Sequence, residues 1–234
     1  MRSLLVSKLM YTEIKNELAK SFDIIELDEN PMLDKPVSAH PDMQLLRLDD
    51  EIVISKSLYA QNNKLADIIN QKYNVNFTTS EHTARYPGDV IINALRLDLY
   101  LFCKTYAVDK SVVKLAEKKN ITLVNVKQGY SACSTLALDK AIISADKGIC
   151  EAARDKGYDV LQISPGNISL EGYDYGFIGG ASFYDKENSR VYFFGNIKSH
   201  PDCEMIAAFI KKHSAQIFSF DHLPLYDFGG AVIL

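Results

Sequence analysis

Residues able to support nucleophilic catalysis occur in several short segments of this 234-residue sequence. One segment carries His40 and Asp42, another carries Cys133, and two more carry Asp174 and Asp227. A cysteine thiolate attacks electrophilic carbon, and it needs a nearby imidazole and carboxylate to manage the protons. Asp also commonly occupies turns, so each segment by itself is compatible with an ordinary loop. The chemistry therefore depends on whether the fold brings these segments together.

Between the segments, predicted elements recur in the order strand, strand, helix, strand. Apolar residues at helical spacing predict five amphipathic helices, and short β-type runs flank them. Four first strands are predicted to begin near residues 43, 90, 134 and 180, at spacings of 47, 44 and 46 residues. A fifth unit is split between the termini, with its first strand at Gly230–Leu234 and its remainder at Ser3–Leu27. Repeats of this length indicate an array or a closed propeller.

The split unit favours closure, because pairing of the two terminal segments removes exposed sheet edges. We therefore expect residues 1–234 to form a single domain of the α/β class. Its predicted architecture is a five-bladed pseudo-symmetric α/β propeller of ββαβ repeats, closed by the N- and C-terminal strands. A doubly wound α/β domain with added hairpins is the alternative, but an open sheet predicts no matched strand pair before every helix. In the propeller, the loops before the first strands would converge at one end.

On these motifs the chain resembles the guanidine-modifying enzyme, or pentein, superfamily. That superfamily has a five-bladed α/β propeller fold and includes arginine and agmatine deiminases, dimethylarginine hydrolases and amidinotransferases. His40-Pro41-Asp42 resembles its His-x-Asp motif, and the Gly-rich turn from Gly129 to Cys133 resembles the segment that holds its catalytic cysteine. Asp227-Phe228-Gly229-Gly230 resembles its acid-Gly-Gly motif.

Two further residues resemble positions of the superfamily, and three features depart from its pattern. Asp174-Tyr175-Gly176 resembles the context of the family's guanidinium-binding Asp, and Asn93 resembles an Asn early in the remaining blade. The linear order of the motifs is changed, which implies a circularly permuted member. Asp227 stands where many members have Glu, and its shorter side chain changes the reach to the histidine. The chain also lacks the long insertions that enclose the substrate in known members.

The resemblance implies a cysteine-dependent hydrolase or amidinotransferase-like enzyme that acts on a guanidino or amidine small molecule. Cys133 would attack the central carbon, His40 would transfer protons, and Asp227 would orient the imidazole. The substrate-binding residues would be Asp42, Asp174 and Asn93, with the two carboxylates holding the N–H groups of the planar cation. We expect no cofactor and no metal, because the spacing of His40, Cys133 and the nearby carboxylates gives no support for a zinc site.

Composition excludes several other classes of protein. The chain has 26 basic and 30 acidic residues and no run of five like charges, so we expect no nucleic-acid partner. Its apolar runs are far shorter than the roughly 18 residues that span a bilayer, so no membrane partner is expected. The four scattered cysteines (Cys103, Cys133, Cys150 and Cys203) form no C-x-x-C pair, which predicts free thiols and a cytoplasmic location.

The alternative function is a non-catalytic pentein-fold protein that binds a small molecule, a ribosome or another protein, because fold alone does not establish catalysis. The particular guanidino compound, the choice of water or an amine as acceptor, and the oligomeric state stay open. Arg47, Arg85 and Arg96 are equal candidates to bind a substrate carboxylate.

Overall fold

The computed structural model describes all 234 residues and contains five three-stranded sheets and seven α-helices. The strands are β1 (Arg2–Ser7), β2 (Phe22–Leu27), β3 (Leu45–Leu48), β4 (Glu51–Ile54), β5 (Asn74–Phe77), β6 (Leu95–Leu97), β7 (Tyr100–Cys103), β8 (Thr122–Asn125), β9 (Thr135–Ala137), β10 (Ala141–Ser144), β11 (Asp159–Gln162), β12 (Ser182–Asp185), β13 (Arg190–Phe193), β14 (Gln216–Ser219) and β15 (Val232–Ile233). The helices are α1 (Thr12–Leu18), α2 (Pro41–Gln44), α3 (Lys56–Gln61), α4 (Asn63–Lys72), α5 (Lys110–Lys118), α6 (Lys147–Asp155) and α7 (Cys203–Lys212).

All five sheets share one topology, in which the middle strand is antiparallel to the first strand and parallel to the third. Helices connect each middle strand to its third strand. The sheet made of β15, β1 and β2 joins the two termini, so the predicted pairing of these segments is confirmed. The first strand of this sheet is shorter than predicted, because Gly229 and Gly230 adopt positive φ angles and turn away from extended geometry.

Side-chain caps and glycine or asparagine stops explain the helices on the outside of the sheets. Asp146 caps α6, since its carboxylate accepts a hydrogen bond from the Ile149 N–H, and Gly157 follows the helix with a φ of 82°. Asp109 caps α5 in the same way, and Asn120 follows with a φ of 54°. None of the helices has the length and apolarity needed to cross a bilayer.

Two more differences from the predicted elements occur in the units that contain β3 and β6. The helix α3 was not predicted, although Ser55 provides a cap by accepting a hydrogen bond from the Leu58 N–H. The strand predicted over Val90–Leu97 is reduced to β6, because the preceding residues fold into turns that bury Asn93. The loss of regular strand geometry there places a polar side chain inside the protein.

The hydrophobic core consists mainly of five clusters, each packed between two sheets that follow one another in the chain. The cluster between the terminal sheet and the β3 sheet includes Leu5 and Ile52, and the last cluster packs Phe22 of the terminal sheet against Phe183 of the β12 sheet. The other three clusters join the intervening sheets in order. Burial of each large apolar side chain contributes about 1.5–3 kcal/mol, so these clusters hold the sheets together.

Hydrogen bonds also connect the segments immediately before or at the start of the first strands. Each of the five bonds joins one sheet's segment to that of the next sheet, and the fifth returns to the first. The bonds are Asn93 Nδ2 to Asp42 O (3.0 Å), Ala132 N to Asn93 Oδ1 (2.9 Å), Gly180 N to Cys133 O (2.9 Å), Gly230 N to Gly180 O (2.8 Å) and Asp42 N to Gly229 O (3.2 Å). Strand pairing itself stays within each sheet, so the strands form no continuous closed sheet.

Candidate active site

The segment His40-Pro41-Asp42 lies at the start of the short helix α2. Pro41 occupies the first helical position, where a missing N–H costs nothing, and its ring fixes the direction of the chain. His40 precedes it in extended geometry, and Asp42 follows it with its N–H bonded to the Gly229 carbonyl. The two functional side chains are therefore fixed by the backbone on either side of the proline.

Asn93 links this segment to Cys133. Its side chain is completely buried, and its Nδ2 donates both to the Asp42 carbonyl and to Cys133 Sγ, each at 3.0 Å. Its Oδ1 accepts the Ala132 N–H at 2.9 Å, which fixes the orientation of the amide. Asn93 thus holds the Cys133 sulfur in place. Its amide does not titrate, so it neither gives nor takes a proton.

The Cys133 thiol is buried, with only 3% of the residue exposed. It packs with Leu33, Met43 and Val90, and the rings of Tyr130 and Phe177 lie against the same cluster. Burial raises the pKa of Cys133 well above its ordinary value, and the nearby Asp42 and Asp227 carboxylates raise it further. Without a ligand, the sulfur is therefore a neutral thiol rather than a thiolate.

The Asp42 carboxylate is the least satisfied polar group in the site. Both of its oxygens are buried, and neither has a well-formed hydrogen bond. Burial, with a contribution from the charge on Asp227, raises its pKa to about 7, and the neighbouring Cys133 thiol partly opposes this rise. Buried carboxylates are normally hydrogen-bonded or paired with a cation, so the partnerless Asp42 is an exception within this protein.

Asp227 and His40 form a buried acid–base pair, with Asp227 Oδ1 lying 3.8 Å from His40 Nδ1. The Asp227 carboxylate also accepts the backbone N–H groups of Phe177 (2.8 Å) and Gly229 (2.9 Å). Burial lowers the pKa of His40 despite the favourable charge of Asp227. Burial also raises the pKa of Asp227 against the effects of His40 and the two N–H donors. The imidazole is therefore neutral without a ligand, and its Nε2 is the nitrogen left for proton transfer.

Glycines allow this pair to pack so closely. At Gly229, where φ is 76°, an added Cβ would lie 2.3 Å from the Cβ of His40. At Gly180, an added Cβ would lie 1.9 Å from Asp227 Oδ1. These contacts explain the Gly-Gly that follows Asp227 and the second Gly-Gly at 179–180.

The structure brings together five of the six residues predicted for the site, namely His40, Asp42, Asn93, Cys133 and Asp227. His40 makes no hydrogen bond to Cys133, whose sulfur is bonded to Asn93 instead. Asp174 is exposed and forms none of the hydrogen bonds of the cluster. It lies with His40 and Asp227 on the wall of a cavity of about 1050 Å³.

Sequence reasoning did not select Asp89 and Tyr130, which belong to the same region. The Tyr130 hydroxyl donates to Asp89 Oδ2, while Asp89 Oδ1 is buried without a partner. The Tyr130 ring lies 5.9 Å from the Tyr86 ring and 6.1 Å from the Phe177 ring, and Tyr130 and Phe177 pack against the thiol cluster. Their positions in the same loops as Gly88 and Cys133 were the available signal. No group of three or more His, Cys, Asp or Glu side chains is arranged to hold a metal ion.

A family model described as "Family of unknown function (DUF6873)" matches residues 5–232. The chain belongs to this family. The match covers nearly the whole sequence, but the family's description assigns no activity. A comparison with curated proteins found no match.

Solved structures show what the fold is similar to. A complex of the dimethylarginine dimethylaminohydrolase (DDAH) from Pseudomonas aeruginosa with citrulline is 10% identical, has a TM-score of 0.61, and is matched over 100% of both chains. The inosamine-phosphate amidinotransferase from Streptomyces griseus is 10% identical with a TM-score of 0.58, over 94% of this chain and 77% of that one. The agmatine deiminase from C. jejuni is 10% identical with a TM-score of 0.51, over 93% and 76%. All three are pentein superfamily members, so the predicted resemblance is confirmed for the fold.

Proposed function

We propose that this protein is a cysteine-dependent enzyme acting on a guanidino or amidine small molecule, either as a hydrolase or as an amidinotransferase. The observation that carries the proposal is the Asp42 carboxylate, buried beside the Cys133 thiol with no cation and no well-formed hydrogen bond to either oxygen. A guanidinium or amidinium group supplies parallel N–H donors and a positive charge, which are the two things that Asp42 lacks. Binding there would also place the electrophilic carbon of the cation close to the sulfur.

A cationic ligand would change the protonation of the whole cluster. Its positive charge favours the ionised forms of Asp42, Asp227 and Cys133, because an opposite charge lowers the pKa of each acid. The thiol, neutral in the free protein, would therefore ionise when the substrate is in place. This coupling limits reaction of the cysteine with other electrophiles, since the nucleophile forms only in the complex.

The remaining steps balance with the residues present. The proton lost by Cys133 passes to His40, whose charged form Asp227 stabilises. The thiolate forms an S–C bond to the central carbon, the C–N bond breaks, and the leaving amine takes the proton from His40. Water or an acceptor amine then gives a proton to His40 and attacks the same carbon. The S–C bond breaks, and His40 returns that proton to the sulfur, which regenerates the thiol and the neutral imidazole. Asp42 holds the cation throughout, and Asn93 positions the sulfur.

Asp174 has a smaller part in this proposal than its predicted role suggests. It is exposed and lies with His40 and Asp227 on the 1050 Å³ cavity, so it would contact a ligand on the approach to the imidazole. The deeper carboxylate, Asp42, would make the bidentate contact with the guanidinium.

We also propose that the five sheets form one domain as a closed α/β propeller. Support comes from the five core clusters and the five hydrogen bonds, both of which proceed from sheet to sheet and return to the first. The site would then lie on the propeller axis, where all five sheets contribute. A circular permutation relative to familiar penteins, and a cytoplasmic location, remain predictions from the sequence.

A second candidate function is a non-catalytic binding protein on the same fold. The observation that favours it is the absence of a hydrogen bond between His40 and Cys133, together with the burial of the neutral thiol. A binding protein would retain the affinity of Asp42 for a cation without forming a covalent bond to the sulfur.

Two alkylating reagents of the same size distinguish these functions. We expect 2-chloroacetamidine, which is cationic, to label Cys133 selectively, and the neutral 2-chloroacetamide to label Cys203 first, because Cys203 is the most accessible thiol. Mass spectrometry of the full chain after limited reaction gives the site of labelling. Asp42→Asn should remove the preference of the amidine for Cys133.

The control is Cys103→Ala, which removes a thiol buried in β7 and should leave the labelling pattern unchanged. With a substrate found by screening guanidino compounds for release of ammonia, urea or amines, Cys133→Ala should reduce turnover to background. If both reagents label Cys203 in preference to Cys133, the proposal that the protein is an enzyme is contradicted. Binding of a guanidino compound without labelling or turnover would favour the binding protein.

A further inference from the structure

A second cavity, of about 500 Å³, lies between the first strands of the sheets. Asp42 lines it, and so do Arg47 of β3 and Arg96 of β6. Arg47 is five residues beyond Asp42, and Arg96 is three residues beyond Asn93, so the arginines lie along the strands away from the thiol. The cavity therefore extends from the candidate site toward a region with basic side chains.

Neither of these two arginines donates a hydrogen bond to a carboxylate, although the exposed Arg47 guanidinium lies over the Tyr73 ring. Arg2, which also lines the cavity, donates twice to Asp185 at 2.7 Å. Arg47, in contrast, donates only to backbone carbonyls of Asp49 and Ile233. Arg96 comes no closer than 3.8 Å to the Asp49 carboxylate, and its Nη1 is buried without any acceptor. Buried guanidinium N–H groups normally find an acceptor, so an acceptor is missing at Arg96.

A local sequence repeat places the two arginines at equivalent positions. Leu-Arg-Leu-Asp occurs at residues 46–49 and again at 95–98. In each sheet the arginine is the penultimate residue of the first strand and pairs with the middle strand, Arg47 with Ile52 and Arg96 with Leu101. In β9 the residue at the equivalent pairing position is Ala137, opposite Ile142, so the repeated arginine belongs to the neighbouring sheets of β3 and β6.

From this arrangement we infer that the cavity binds a small carboxylate or similar oxyanion between Arg47 and Arg96. Two planar guanidinium groups offer forked N–H donors that match the oxygens of a carboxylate. The anion could be a free metabolite, or it could be the acidic end of a guanidino substrate whose other end is held by Asp42. Only the second source rests on the proposed function. Among the three arginines that the sequence left equal, Arg85 is exposed and does not line the cavity.

Acetate is a direct probe of this site in the full-length protein. We expect sodium acetate, titrated at constant ionic strength against sodium chloride, to give a saturable increase in the thermal midpoint of unfolding. Arg96→Gln should weaken the apparent affinity at least tenfold, and Arg96→Lys should also weaken it because lysine lacks the forked donors. The matched control Arg85→Gln should bind acetate as the wild type does. If Arg96→Gln fails to fold, as judged by circular dichroism, Arg47→Gln provides the same test.

A wild-type response to acetate no larger than that to chloride, or equal acetate binding by wild type and the arginine variants, would overturn the inference. A guanidinoalkanoate and an alkylguanidine of equal length then identify the source of the anion. If the guanidinoalkanoate competes with acetate and the alkylguanidine does not, the site binds the acidic end of a substrate. Acetate binding that neither compound affects assigns it to a free anion. Acetate binding that persists when Cys133 labelling fails would refute the proposed function and leave this site intact.

Discussion

Carboxylates at the two ends of the first strands have opposite environments: one is buried without a partner, and the others are exposed and paired with a cation. At the starts of these strands, Asp42 is buried without a cation or a hydrogen-bond donor, and its pKa is raised to about 7. At the hairpin turns that follow the strands, aspartates are paired with cations from the next sheet, as in Asp98 with Lys140 and Asp139 with Lys186, each at 2.8 Å. The pairing with Lys140 lowers the pKa of Asp98.

The contrast separates carboxylates that have a partner within the protein from one that has none. An exposed ion pair costs little to form and contributes little to stability. A buried carboxylate without a partner destabilises the folded state, and under the proposed function a cationic ligand would satisfy it. The same residue type thus has two functions, and burial together with the presence of a partner decides which.

The largest expected effect comes from closing the space around Asp227. Gly180→Ala would place a Cβ 1.9 Å from Asp227 Oδ1 and 2.4 Å from its Cγ. We expect a loss of more than about 3 kcal/mol in the free energy of unfolding, measured by urea denaturation, because the backbone on both sides is fixed by hydrogen bonds. In the double variant Gly180→Ala/Asp227→Ala the clashing atoms are gone, so part of the stability should return. Wild-type stability of the single variant would contradict the packing described here.

An intermediate effect is expected at Asp42, and it has the opposite sign. The folded-state pKa of about 7 lies above the ordinary value of 3.8, so the folded protein holds a proton that the unfolded chain releases. Wild-type stability should therefore fall as the pH rises from about 4 to about 7 and stay lower above that range. Asp42→Asn removes this charge and should stabilise the protein by about 2 kcal/mol at pH 8, less than the full pKa shift implies because the amide is also buried.

Urea denaturation of wild type and Asp42→Asn at pH 5 and pH 8 measures this difference. The variant should be the more stable protein only at the higher pH, while losing selective labelling by the amidine. Equal pH dependence in the two proteins would show that another group is responsible.

The smallest effect is expected at the hairpin turns. Lys140→Met breaks the ion pair with Asp98, in which both side chains are more than half exposed. The urea midpoint should not change measurably, and added salt should not separate the variant from the wild type, because water already solvates both groups. A clear loss of stability would mean that these pairs hold neighbouring sheets together, and the contrast between the two ends would weaken.

Sequence patterns predicted the repeat well because each unit is encoded locally. Buried positions of α5 and α6 follow the expected spacing, and Asn120 and Gly157 end these helices as predicted. The hydrogen-bond partners of the site were harder to predict, since each links residues far apart in the chain. Nothing near Asn93 indicates that its amide would bond to Cys133, forty residues later.

Burial was the other property that the sequence did not reveal. Cys133 is the predicted nucleophile, but aromatic rings from neighbouring loops pack against its cluster, and the residue is only 3% exposed. Asp174 was expected to contact the guanidinium together with Asp42, but its loop places it among exposed residues. Both outcomes depend on how loops of different units pack, which a repeat pattern does not encode.

The hydrogen bonds that connect all five units have a consequence for biosynthesis. Four different units supply the residues of the site, which are His40, Asn93, Cys133 and Asp227. Gly229 packs directly against the His40 side chain. A nascent chain that has emerged only as far as Cys133 therefore carries the thiol but neither the carboxylate nor the glycine that complete the pair. The pair of His40 and Asp227 forms only when the last loop docks, so under the proposed function a chain truncated before residue 227 would have no activity.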